Sequence, residues 1–182
     1  SLLETLKEIV RRVERESARI LEDNRRTVTR AKEESKKILD RNAKTVDDLR
    51  KEVERLKTEG KISEELAKEI ERVLRDVLRL SKEALERNEK VLREVIETSE
   101  RALRENRKLL KRVIEEVARE QDNEELVRRL VEELEKSLRT TERLARELDR
   151  KIKESLDTSE ELARRLDKRL EEVLKDVKRR AE

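Results

Sequence analysis

Apolar residues fall along this chain in stripes of helical period, and no more than two ever stand side by side. The first stripe begins at Leu2, Leu6, Ile9 and Val13 and runs to Thr58-Glu59-Gly60-Lys61-Ile62-Ser63. There Gly60 stands where a helix C-cap wants a left-handed residue. Ser63 follows as N-cap, with Glu64 and Glu65 at the positive end of the next helix dipole. A second break is read at Gln121-Asp122-Asn123, with Asp122 and Glu125 forming a capping box. No glycine assists it, but phase does. The stripe through Leu103, Asn106, Leu110, Val113 and Val117 would next need Gln121 and Glu124, whereas a fresh stripe starts at Leu126 and Leu130.

The spacing therefore predicts helices over about 2–58, 64–120 and 123–181, each about 85 Å long at a rise of 1.5 Å per residue. Such short connections make neighbouring helices antiparallel. The expected fold is all-α: an up-down-up bundle of three long helices, with residues 1–182 as a single domain.

The stripes also repeat. In helix 1, Ser17, Ile20, Leu21, Asn24, Thr27 and Val28 recur as Ser35, Ile38, Leu39, Asn42, Thr45 and Val46, an offset of 18. Helix 2 repeats Ser81, Asn88, Leu92 and Val95 as Ser99, Asn106, Leu110 and Val113. Helix 3 repeats Ser137, Thr140, Thr141, Leu144 and Leu148 as Ser155, Thr158, Ser159, Leu162 and Leu166. Eighteen residues in five turns is the period of a straight helix, so the helices are expected to be nearly straight and the bundle untwisted. Charged positions scarcely repeat; only the core is copied.

Polar residues stand inside these stripes where leucine would be expected: Ser17, Asn24, Thr27, Ser35, Asn42 and Thr45 in helix 1, and Ser81, Asn88, Ser99 and Asn106 in helix 2. Helix 3 supplies Ser137, Thr141, Ser155 and Ser159, with Thr140 and Thr158 nearer the stripe edge. Antiparallel pairing at index totals near 121 and 243 puts Asn106 level with Ser17 and Ser137, and Asn88 level with Ser35 and Ser155. The same rule sets Ser99 beside Asn24 and Ser81 beside Asn42. An unpartnered buried amide or hydroxyl costs about 1–3 kcal/mol, so coincidence in height is what a closed hydrogen-bond network requires. The alternative is that each Ser and Thr bonds to its own helix while Asn faces water. Segments flanking these levels stay aliphatic, giving the order apolar, network, network, apolar.

Composition sharpens this picture mainly by exclusion. Of 182 residues 53% are charged, yet the net charge is only +3, and with strict periodicity that reads as long helix rather than disorder. Phe, Trp, Tyr, His, Cys, Met and Pro are all absent. Without Cys or His there is no thiolate nucleophile, Ser-His pair or structural zinc site. No catalytic, cofactor-binding or metal-ligating residue is assigned, and the chain is not expected to be an enzyme. The sequence pI near 9.1 suggests nucleic acid, but charge signs alternate, with Glu-to-Arg pairs four apart such as Glu22–Arg26, Glu83–Arg87, Glu97–Arg101, Glu142–Arg146 and Glu161–Arg165. These are solvated faces, so neither nucleic acid, membrane nor small molecule is expected as a partner. No stretch reads as a targeting signal or a membrane span, and a soluble chain follows.

The Ser-x-x-Ile-Leu-x-x-Asn-x-x-Thr-Val repeats, the turns at Gly60 and Asp122, the charge-saturated surface and the stripped alphabet resemble a computationally designed parametric helical bundle. More narrowly, the chain is similar to designs with modular buried hydrogen-bond networks, in which apolar and network layers are mixed. The resemblance covers the whole chain. It implies a synthetic origin, expression in a cytoplasm and a structural role, either as a self-contained monomeric scaffold or as a three-helix component that takes a complementary helix or another copy of itself. Long natural three-helix rods of the spectrin and apolipoprotein kind are the rival likeness, but the lack of any aromatic, Pro, Met and His would be odd for them.

Overall fold

The computed structural model describes residues 1–181, which form three α-helices: α1 (Leu2–Thr58), α2 (Glu64–Arg119) and α3 (Glu124–Ala181). The helices pack against one another as a bundle, and no strand occurs among the described residues. Every boundary lies within one residue of the position read from the stripes. Straight-chain Leu, Glu, Lys and Arg favour the helix, while acids in the first turns and bases in the last turns complement the backbone dipoles.

Two compact units divide the chain, and each takes a segment of all three helices. The first comprises Ser1–Thr29 with Leu92–Lys153; the second comprises Arg30–Val91 and the chain from Glu154 onward. In the first unit Leu6, Ile9 and Val13 of α1 meet Leu110 and Val113 of α2 and Val127, Leu130 and Leu134 of α3. In the second, Val46, Leu49, Val53 and Leu56 of α1 pack with Ile70, Leu74 and Val77 of α2 and Leu166, Leu170 and Val177 of α3. Each enclosed leucine contributes about 1.5–3 kcal/mol by leaving water, so these aliphatic clusters hold each unit together without any aromatic side chain.

The two turns solve the same problem differently. In the second unit, Gly60 at φ +72° ends α1. The Lys61 N–H donates to the Leu56 carbonyl at 2.9 Å and the Gly60 N–H to the Lys57 carbonyl at 3.1 Å, the paired bonds of a Schellman cap. Ile62 then folds into the apolar cluster, and Ser63 Oγ accepts the Leu66 N–H at 3.1 Å to start α2. In the first unit the α2–α3 turn has no left-handed residue. Here the capping assignment is corrected by one position: Asn123, not Asp122, is the N-cap. Its Oδ1 accepts the Leu126 N–H at 3.1 Å, and its carbonyl accepts the Val127 N–H at 3.1 Å. Asn123 Nδ2 reaches back to Glu120 Oε2 at 2.9 Å, which ties the cap to the end of the preceding helix.

Candidate functional site

The inward polar residues gather into hydrogen-bonded rungs inside each unit. In the first unit Asn106 of α2 is the hub. Its Nδ2 donates to Ser17 Oγ of α1 at 2.9 Å and to Thr141 Oγ1 of α3 at 2.8 Å, while its Oδ1 accepts from Ser137 Oγ of α3 at 3.0 Å. Both amide hydrogens are thus used, and three helices meet on one side chain. A simpler rung lies beside it, with Asn24 Nδ2 donating to Ser99 Oγ. Passing from Ser17 to Asn24 on α1 while passing from Asn106 back to Ser99 on α2 shows that these helices run antiparallel.

The second unit holds the same parts. Asn88 Nδ2 donates to Ser35 Oγ of α1 at 3.1 Å and to Ser159 Oγ of α3, and its Oδ1 accepts from Ser155 Oγ at 2.6 Å. The simpler rung is Asn42 Nδ2 to Ser81 Oγ at 2.7 Å. Every level matched from the index totals is therefore realised, and no buried side-chain nitrogen or oxygen among the described residues lacks a partner.

Bonding to the residue's own helix turns out to accompany the network rather than replace it. Ser17 donates to the Val13 carbonyl at 2.7 Å, Ser99 to the Val95 carbonyl at 2.9 Å and Ser159 to the Ser155 carbonyl at 3.0 Å, each while accepting from an asparagine. A hydroxyl has one hydrogen and two lone pairs, so both tasks fit on one oxygen. Thr27 and Thr45 are corrections to the expected network. They are half-buried at the stripe edge and donate only to their own helix, to the Asp23 carbonyl at 2.9 Å and the Arg41 carbonyl at 3.0 Å. A local acceptor four residues back is always within reach, and at the edge no asparagine competes for it. Thr140 does the same with the Lys136 carbonyl at 2.9 Å.

Among the described residues all buried polar ones are Ser, Asn or Thr, and none carries a charge. The perturbed titrations lie on the surface instead. Arg50 of α1 grips Glu71 of α2 through Nε at 3.0 Å to both carboxylate oxygens and through Nη2 at 2.7 Å, and this hydrogen bonding lowers the Glu71 pKa. Further interhelical pairs are Arg169–Asp76 at 3.8 Å in the second unit, and Arg25–Glu100 at 3.3 Å and Arg112–Glu133 in the first. None was read from the sequence, although the indices 50 and 71 fall within two of the pairing total that the α1–α2 rungs share. Of the pairs expected along single helices, Glu22–Arg26 and Glu161–Arg165 form. Glu83–Arg87, Glu97–Arg101 and Glu142–Arg146 do not form among the described residues, and Glu83 pairs with Arg79 at 3.2 Å instead. Exposed pairs are worth at most about 1 kcal/mol, so nothing forces one geometry over another.

No protein family, curated protein or solved structure matches this chain. That result, with buried Asn, Ser and Thr bonds in a three-helix bundle, is consistent with a novel or designed protein. No helix among the described residues is long and apolar enough to cross a membrane.

Proposed function

We propose that this chain is a de novo designed structural scaffold, a self-contained three-helix bundle whose buried polar rungs specify which helices pair and at what register. One observation carries the reading: Asn106 and Asn88, one repeat apart, each bind both other helices and spend both amide hydrogens doing so. In a slipped register these amides would face aliphatic neighbours, at about 1–3 kcal/mol for each stranded group, while an all-leucine core would tolerate the slip. No catalysis is proposed, since the buried hydroxyls have no titratable base beside them to activate them. Neither cofactor nor nucleic acid is part of the reading.

The test is the double variant Asn88→Leu with Asn106→Leu. Its thermal midpoint should stay level or rise, while its amide NMR spectrum or solution mass becomes heterogeneous. A lower midpoint with undiminished uniformity would overturn the assignment of specificity to the rungs.

Ile114 favours a second reading, in which the chain is one component of an assembly. It is the one large apolar side chain exposed among the described residues, at 57%, and it borders a groove in the first unit lined by Leu3, Val10 and Val117. A complementary helix or a second copy would cover it. Light scattering with refractive-index detection separates the two at micromolar concentration, because nothing absorbs at 280 nm. The scaffold reading requires a mass of 21.8 kDa. A larger mass that falls back in Ile114→Lys selects the assembly.

A further inference from the structure

In the first unit two grooves between α1 and α2 meet at Ile114 and form one seam. One of them holds about 320 Å³, with buried Leu6 and Val113 as its floor and Leu3, Val10 and Val117 along its walls. Past Ile114 the seam continues over Leu110 and Leu103 to Ala18. From Leu3 to Ala18 it follows α1 for about 22 Å, or four helical turns. Ile114 repeats Ile96 at the offset of 18, yet Ile96 is half-buried while Ile114 is 57% exposed.

Charge distinguishes the rim of this seam. Among the described residues, the charged ones along the stretch from Leu3 to Val117 are Lys7 and Arg11, both exposed. The ion pairs of α1 in this unit are Ser1–Glu4, Glu16–Arg19, Glu22–Arg26 and Arg25–Glu100, and neither Lys7 nor Arg11 takes part in any. Over Leu110, by contrast, Arg107 and Lys111 are offset by Glu14 and Glu115. In the second unit the groove between the same helices has a rim of both signs, and its Arg50 and Lys51 pair with Glu71 and Asp47. Uncompensated positive charge is thus confined to the most apolar stretch.

Resting on the reading of the chain as one component of an assembly, we propose that this seam seats an amphipathic helix of about four turns. Its apolar face covers Ile114, and its flanks carry Asp or Glu opposite Lys7 and Arg11. The concave seam between two antiparallel helices is the shape into which the side-chain ridge of another helix packs. Covering Ile114 removes apolar surface from water, while acids meeting Lys7 and Arg11 set the partner's charge and register. A second copy is the wrong occupant. Packed face to face about a two-fold axis, it would bring its own Lys7 and Arg11 into the same small patch.

The test uses the full-length chain and two helical peptides of about sixteen residues with the same leucine face, one flanked by glutamate and one by lysine. Each peptide carries one tryptophan on its apolar face; the chain has none, so peptide fluorescence reports docking without background. At low salt the glutamate peptide should bind about tenfold more tightly than the lysine peptide. Lys7→Glu with Arg11→Glu should reverse that order, and Ile114→Lys should abolish binding of the glutamate peptide. All three side chains are exposed, so helix content should stay unchanged. Equal binding of both peptides, or an order that the charge reversal leaves intact, overturns the proposal while the assembly reading stands. So does a chain that, without peptide, forms pairs dispersed by Ile114→Lys. A monomer that binds neither peptide overturns both.

Discussion

Set side by side, the two units share their polar rungs almost atom for atom but differ in how they are finished. The second unit is closed by a glycine turn that also feeds Ile62 into its core, and its surface carries the bidentate Arg50–Glu71 clamp. The first unit is closed by an asparagine cap with no left-handed residue, and leaves Ile114 in water. What is repeated is therefore the part that must recognise another helix. Ends and surfaces answer to local constraints, and several local solutions serve equally well.

Four measurements would break or sharpen that comparison. The largest effect belongs to the aliphatic clusters. Leu134→Ala in the first unit and Leu170→Ala in the second should each cost about 2–5 kcal/mol in denaturant unfolding, because both side chains are enclosed and leave a cavity. Costs differing by more than that range would end the equivalence of the two cores. Next come the hubs. Asn106→Ala and Asn88→Ala each break three hydrogen bonds and should cost about 1–3 kcal/mol, more than Asn24→Ala or Asn42→Ala, which break one. Equal costs for hubs and simple rungs would show that the third helix adds nothing.

The turns rank below these. Gly60→Ala should cost about 1–2 kcal/mol from the left-handed backbone alone, since a Cβ there meets nothing within 4 Å. Asn123→Ala should cost about 1 kcal/mol as a lost cap, whereas Asp122→Ala should be close to neutral. The smallest effect is electrostatic. Arg50 lowers the Glu71 pKa in the folded chain, so the pair's contribution is present above the unfolded value of about 4.3 and fades as pH falls through the folded one. Glu71→Gln should thus cost no more than about 1 kcal/mol at neutral pH, and its curve should rejoin that of the unsubstituted chain in acid. A gap that widens on acidification would have the wrong sign.

The helices, their order and the rung partners were legible in the sequence because each rests on periodicity: 3.6 residues fixes the face, and a constant index total fixes the height. Thr27 and Thr45 were misplaced because a stripe gives direction but not depth, and at its edge a hydroxyl can satisfy itself on the carbonyl four residues back. The N-cap at Asn123 was placed one residue early because Asp122 and Asn123 are both good caps, and only the entering chain's path decides between them. The clamp between Arg50 and Glu71 was invisible for a different reason. Among so many charges, pairing is chosen by the reach of flexible side chains, and repetition leaves no mark on it.

The offset of 18 residues between copied rungs has a consequence for what the rungs can encode. A helix displaced by one full repeat, about 27 Å, would again present one set of serines to asparagine but would carry the other set against an aliphatic layer. Hydrogen bonds of this kind tell a helix its phase, as the marks on a ruler do, and the aliphatic layers at either end number the marks. The two turns, Gly60 at one and Asn123 at the other, fix the same count a second time. Cutting both turns would leave three helices that still know how to face each other, with a shift of one repeat opposed by the rung set that it strands.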